Sequence, residues 1–248
     1  MRIVIFSDVH GNVVALEAVL AAIRRETTPD ALFVAGDLVL FGPRPAEALT
    51  LLRSLDGARF VKGNTDHYLI DNSDDEQEQE VAFVRKLLSE DDIAFVRDLP
   101  FEQRLEVAPG HELLVVHANP RDLEGSITPD SPDALIRPWF EGVTAEVVAF
   151  GHYHVPFVRQ LDGRTLVDVA SVGLSRDGDQ RAAYAILTWE CGTWQIEHRR
   201  VPFDIHAVAR DYTAVGFPNA QQAAQQLLKA RGFSVLPSSS AKTKNRYI

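Results

Sequence analysis

Three short apolar runs, Arg2–Phe6, Ala31–Ala35 and Ala58–Val61, open this 248-residue chain and alternate with two segments of helical periodicity. In the first of these, Val13, Leu16, Val19, Leu20 and Ile23 share one helical face, and Arg24 and Arg25 follow in the last turn, where cations suit a helix C-terminus. The second, Pro45–Leu55, starts with a proline fitted to a first turn. A β-α-β-α-β order argues for a parallel sheet with right-handed crossovers. Ligands of open α/β sheets gather beyond the carboxyl ends of the strands. Each of these runs is followed at once by polar residues: Asp8-Val9-His10-Gly11-Asn12, Gly36-Asp37 and Gly63-Asn64-Thr65-Asp66-His67.

The second half of the chain reads as antiparallel sheet. Glu102–Val107 and Leu113–Val116 flank Pro109-Gly110, Phe157–Leu161 and Thr165–Val169 flank Asp162-Gly163, and Tyr184–Trp189 and Trp194–His198 flank a turn with Cys191-Gly192. Two strands here also end in ligand types. His117 follows Leu114–Val116, and Gly151-His152-Tyr153-His154 follows the buried run Val147–Phe150. Val81–Val96 reads as one helix, Asn219–Ala230 as a terminal helix ending at Gly232, and Asp71–Glu80 as a solvated acidic stretch. The expected organisation is a single domain over residues 1–236 and a loose tail over 237–248.

Composition narrows the function classes. At 46% apolar and 24% charged residues the chain is globular rather than fibrous or disordered. No apolar run approaches the ~18–20 residues of a membrane span, and Met1–Phe6 lacks the pattern of a secretory signal, so a cytoplasmic location is expected. The lone cysteine excludes an intrachain disulfide. A net charge of −10 disfavours nucleic acid and anionic lipid. A small phosphorylated substrate or a phosphoprotein remains compatible if cations are concentrated locally.

The seven candidates Asp8, His10, Asp37, Asn64, His117, His152 and His154 mix carboxylate, amide and imidazole. Such a set suits manganese, iron, zinc or nickel better than calcium, which wants oxygen alone. Seven ligands exceed the need of one ion and suffice for two that share a bridging carboxylate.

With its D-x-H, G-D, G-N, H and G-H-x-H segments in this order, the chain resembles the calcineurin-like metallophosphoesterases from Met1 to about Gly173, and most of all their small bacterial and archaeal phosphatases and phosphodiesterases. The resemblance implies a four-layer αββα sandwich of two mixed sheets with outer helices. It implies two divalent ions, Mn²⁺ foremost. Asp8, His10, Asp37 and His154 would hold one, and Asp37, Asn64, His117 and His152 the other, with Asp37 bridging and with Asp37 and Asn64 central to catalysis. The implied reaction is direct hydrolysis of phosphate mono- or diesters by a hydroxide held between the ions. Glycines 11, 36, 63 and 151 are expected to permit tight turns and close backbone approach.

Two segments depart from the family pattern. Its G-N-H-[DE] has become Gly63-Asn64-Thr65-Asp66, which removes a histidine that protonates the leaving group; His67 is the candidate substitute. Its N-P-G-S-x-G has become Asp168-Val169-Ala170-Ser171-Val172-Gly173. Arg44, Arg121 and Arg176 are the candidate phosphate-binding cations. The residues leave open a monoesterase, a phosphodiesterase, a dinucleoside-polyphosphate hydrolase and a protein phosphatase. A non-catalytic scaffold on the same fold is the alternative from another class.

Overall fold

The computed structural model describes residues 1–71 and 78–231. Among the described residues, ten strands form two five-stranded sheets. The first has the order β10-β9-β1-β2-β3, from β1 (Arg2–Phe6), β2 (Ala31–Val34), β3 (Arg59–Phe60), β9 (Ala182–Glu190) and β10 (Thr193–Val201). The second has the order β4-β5-β6-β8-β7, from β4 (Gln103–Ala108), β5 (His111–Val115), β6 (Val147–Phe150), β7 (Phe157–Leu161) and β8 (Arg164–Asp168).

The apolar runs are continuous because each central strand is covered on both faces. Successive side chains point to opposite faces. Ile3 and Ile5 of β1 and Phe33 of β2 therefore meet Leu113, Val115, Val147 and Ala149 of the second sheet in a core between the sheets. Val4, Phe6 and Val34 instead pack against helices α1 (Val13–Glu26), α2 (Pro45–Arg53), α4 (Glu78–Leu87) and α5 (Glu90–Arg97). On the far side, Leu114, Val148 and Phe150 pack under α6 (Asp133–Ile136) and the 3-10 turn Arg137–Phe140. The result is the expected αββα stack.

The second half is not one antiparallel sheet. β5, β6 and β8 run parallel, while β9 and β10 return to the first sheet, where β9 pairs antiparallel to β1. Alternation along a strand specifies its faces but not its partners. The helix read over Val81–Val96 is two helices, since Ser89 starts a new one. Its Oγ accepts from Asp92 N–H at 3.2 Å, and the Asp92 carboxylate accepts from Ser89 N–H at 3.1 Å, a reciprocal cap. Three described helices lie outside the sequence reading: α3 (Asn64–Asp71), the short α6, and α7 (Ile205–Ala214), which pairs with α8 (Ala220–Lys229). Most of the acidic stretch 71–80 and all of the tail 237–248 lie outside the described residues. Among those described, no helix is long and apolar enough to cross a membrane.

Candidate metal centre and active-site cavity

β1, β2, β3, β5 and β6 all end at one edge, and their following loops carry the seven candidate ligands to a common point. Ser7 Oγ donates to the Ala35 carbonyl at 2.7 Å and Ser171 Oγ to that of Asp8 at 2.9 Å, tying the loops together. Asn12 caps α1 through Ala15 N–H and reaches the Gly173 carbonyl at 3.1 Å. Gly63 and Gly151 serve by having no side chain: a Cβ would lie 2.0 Å from Asp37 Oδ1 in the first case and 2.2 Å from Asp8 Oδ2 in the second. The left-handed backbone falls on the candidate ligands themselves. Asp8, His10, Asp37, His152 and His154 all have φ between 50° and 66°. That conformation costs an L-residue about 1–2 kcal/mol, and such cost concentrates at functional sites.

The four imidazoles are each pinned by one ring nitrogen. His10 Nδ1 faces the Leu40 carbonyl at 2.9 Å, His117 Nδ1 that of Ala35 at 2.8 Å, His152 Nε2 that of Glu124 at 3.0 Å and His154 Nδ1 that of Leu174 at 2.5 Å. A carbonyl only accepts, so these nitrogens carry the protons. The opposite nitrogens therefore turn lone pairs inward. Burial pulls His10 and His154 below their ordinary pKa, and His152 down to about 3. Burial also opposes charge on His117, but the facing carboxylates of Asp37 and Asp8 outweigh it and raise this one. Burial, only partly opposed by His117, pushes the Asp37 carboxyl up to about 7, with Asp8 and Asp66 adding to the rise.

The inward atoms form two groups. In the first, His154 Nε2 lies 3.3 Å from His10 Nε2 and 2.9 Å from Asp8 Oδ1, and Asp37 Oδ2 lies 3.7 Å from His10 Nε2. Asp8 Oδ1 is buried and accepts no hydrogen bond among the described residues. In the second, Asn64 Oδ1 lies 2.9 Å from His117 Nε2 and 3.1 Å from His152 Nδ1, and Asp37 Oδ1 lies 3.4 Å from His117 Nε2. Tyr68 fixes the Asn64 amide: its hydroxyl donates to Glu124 at 2.7 Å and so accepts from Asn64 Nδ2 at 3.2 Å, leaving Oδ1 turned toward the imidazoles. The first group thus crowds lone pairs with no proton between them, and in the second only a proton held by His117 or Asp37 relieves the crowding. A cation in each would remove the conflict, and the donors are borderline nitrogen and hard oxygen, as a first-row divalent ion prefers. Asp37 presents one oxygen to each group.

These groups form one end of a cavity of about 580 Å³. Of the three candidate arginines, Arg176 lines it; Arg44 pairs with Glu47 at 3.1 Å, and Arg121 donates to the Glu141 carbonyl. The structure does not bring His67 to the cavity. Asn64, Thr65 and Tyr68 occupy the inward face of α3, whereas His67 lies on the outer face, exposed and 2.9 Å from Asp71. Thr65 does line the cavity, and its buried Oγ1 has no hydrogen-bond partner among the described residues. Sequence reasoning assigned no role to Asp66, whose buried carboxylate accepts from the backbone N–H groups of Asp37, Leu38 and Gly63, each at 2.9 Å. The acidic position after G-N-x was the signal available. Sequence reasoning also missed the far wall of the cavity, from α7 and α8.

The calcineurin-like phosphoesterase superfamily domain matches residues 1–192, the stretch that supplies all seven side chains. The chain belongs to this superfamily. The phosphoesterase is 27% identical over 227 residues to an uncharacterised protein of Methanocaldococcus jannaschii, covering 82% of this chain and 88% of the relative. A metallophosphoesterase of Sphaerobacter thermophilus superposes with a TM-score of 0.77 at 28% identity, covering 93% of this chain and 99% of that one. A symmetrical bis(5'-nucleosyl)-tetraphosphatase of Psychromonas ingrahamii is 32% identical over 124 residues, covering 48% of this chain and 44% of the relative. Family membership makes the protein a hydrolase of phosphate esters. In this phosphoesterase, β10, α7 and α8 lie beyond the matched stretch.

Proposed function

We propose that the phosphoesterase acts on mono- or diesters of small phosphorylated molecules with two divalent ions, one held by Asp8, His10, Asp37 and His154, the other by Asp37, Asn64, His117 and His152. The observation that carries this reading is the convergence of buried imidazole, carboxylate and amide donor atoms within 2.9–3.3 Å of one another. Two such ions, when bound, bring the pKa of water at the site toward neutrality and offset phosphate charge. Mn²⁺ is the favoured ion, and Fe, Zn or Ni suits the same donors.

The protein's own residues set the rest. Only Asp8 and Asp37 carry negative charge among the seven, so two divalent ions leave net positive charge for a phosphate. Asn64 contributes an oxygen without adding charge. Arg176 adds a cation at the same cavity. Water gives up a proton to solvent as its oxygen bonds to phosphorus, the bond from phosphorus to the leaving oxygen breaks, and the leaving group departs with the electron pair. Thr65 stands where the family has its proton donor. A threonine hydroxyl can hydrogen-bond an oxygen but does not protonate a leaving alkoxide at neutral pH. The preferred substrates therefore carry leaving groups that depart unprotonated, as aryl esters do. A phosphoanhydride is the second reading, favoured by the tetraphosphatase match, since a phosphate leaving group also needs no proton.

The test is hydrolysis of p-nitrophenyl phosphate, bis(p-nitrophenyl) phosphate and an alkyl phosphate after chelation and Mn²⁺ add-back. The wild type is expected to favour the aryl esters strongly, and Thr65→His to narrow the gap. Equal turnover of aryl and alkyl esters would overturn the leaving-group assignment, and full activity in the chelated protein would overturn the metal assignment.

A further inference from the structure

The cavity has two unlike ends. Beside the ligand cluster, Glu80 of α4 lines the cavity, and α7, α8 and the loop between them contribute Tyr212, Phe217, Asn219, Gln222 and Gln226 but no charged side chain. The volume of about 580 Å³ lies in the range of sites that enclose a whole organic ligand rather than a phosphate group alone.

This end is firmly built. Tyr212 Oη donates to the Phe41 carbonyl at 2.8 Å, Phe217 meets Phe83 edge-on at 5.1 Å and Tyr212 at 5.0 Å, and Gly178 N–H donates to the Ala230 carbonyl at 2.7 Å. Phe41 joins the two ends. It holds a left-handed φ of 73°, costly for an aromatic residue, and its ring lies 5.6 Å from that of His10. Within this apolar and amide-lined wall, Gln226 Nε2 is buried and has no acceptor among the described residues. A buried N–H₂ group without a partner is costly unless a ligand supplies one.

We infer that α7 and α8 build a leaving-group subsite for an uncharged, planar ring system that presents a hydrogen-bond acceptor, with Phe41 and Phe217 as aromatic walls and Gln226 as the specificity-determining donor. The subsite rests on the phosphoesterase reading, which places the ester's phosphate at the ligand cluster. Aromatic walls favour a flat ring, the lack of charge on α7 and α8 favours a neutral one, and the free amide requires an acceptor on its edge.

The probe is 4-methylumbelliferone, a neutral coumarin with a ring carbonyl, titrated by fluorescence into the chelated full-length chain below the dye's own pKa, with phenol as the comparison. Saturable binding of the coumarin, weakened about tenfold in Gln226→Met, is the expected result, the scale of one lost buried hydrogen bond. Ala223→Leu, which fills the same wall from the neighbouring turn of α8, is expected to weaken binding as well and serves if the first variant folds poorly. In parallel, the Mn²⁺-loaded protein is assayed on the phosphate esters of the coumarin and of phenol. The ratio of their specificity constants, coumarin ester over phenyl ester, is expected to fall about tenfold in Gln226→Met. No coumarin binding, or equal binding by wild type and both variants, overturns the subsite even if both esters are hydrolysed. Binding that depends on Gln226, with neither ester hydrolysed, supports the subsite and overturns the phosphoesterase reading.

Discussion

Asp66 is absent from the cavity wall, yet its carboxylate fixes the backbone of both loops that carry Asp37 and Asn64. In Asp66→Asn an amide N–H₂ would meet the N–H groups of Asp37 and Gly63, donor against donor. Outer partners of this kind set ligand geometry at a cost of about 10–100-fold in metal affinity. A calorimetric titration of stripped Asp66→Asn with Mn²⁺ is expected to show a loss of that size, and unchanged affinity would count against the role. Asp168 raises a different issue. It is fully buried, its Oδ1 accepts from Ala170 N–H at 2.7 Å, and its Oδ2 has no partner among the described residues. Burial, reinforced by Asp8, lifts its pKa well above the usual range despite the Ala170 bond. Above about pH 4 the folded chain thus holds this proton over a range in which the unfolded chain has released it. Stability is lost as pH rises from the unfolded pKa of about 4 through the folded one. Asp168→Asn keeps the Ala170 bond and has no proton to hold. It is expected to raise Tm at pH 7 by about 2–4 °C for each kcal/mol gained, with the gain fading toward pH 4. A constant gain at all pH values would contradict the assignment.

At the scale of elements, α3 decides which side chains after Gly63 reach the cavity. Because Asn64–Asp71 is helical, positions 64, 65 and 68 face inward and 67 does not. His67→Ala is accordingly expected to leave turnover of both aryl and alkyl phosphates nearly unchanged, and a selective loss on alkyl phosphates would restore an acid role to this residue. This helix is not legible in the chain, since the short polar stretch Asn64-Thr65-Asp66-His67 has no apolar period to read. Strand ends are legible for the opposite reason. β1, β6 and β7 are bounded correctly by their apolar runs or by turn residues such as Asp162-Gly163. The split between α4 and α5 is also written in the chain, as the Ser89-Glu90-Asp91-Asp92 cap inside an otherwise continuous helical pattern. The pairing of β9 with β1 is not, because it joins residues such as Ile186 and Val4 across most of the sequence.

For the whole molecule, the seven ligand types can be read from their places after apolar strands, but their strained backbone and the imidazole tautomers depend on contacts far apart in sequence, such as His117 with Ala35 and His154 with Leu174. The wall from α7 and α8 is hidden more completely, because Gln222 and Gln226 acquire meaning only when the helices fold over the strand ends. Folding brings the donor cluster together, so ions that bind the folded chain alone stabilise it. At a hundredfold excess over Kd the gain per site is about 2.7 kcal/mol, and chelation is expected to lower Tm by several degrees in a thermal melt. Metal uptake must also displace protons held near Asp37, whose pKa is about 7, and His117, so affinity is expected to fall as pH drops below neutrality. The most direct test of the two-ion centre is a titration of stripped protein with Mn²⁺ in which bound metal and p-nitrophenyl ester hydrolysis are followed together, beside Asp37→Asn. Activity that rises to a plateau at two equivalents per chain in the wild type and is lost in Asp37→Asn is the predicted result; activity without divalent metal, or wild-type turnover in Asp37→Asn, would contradict it.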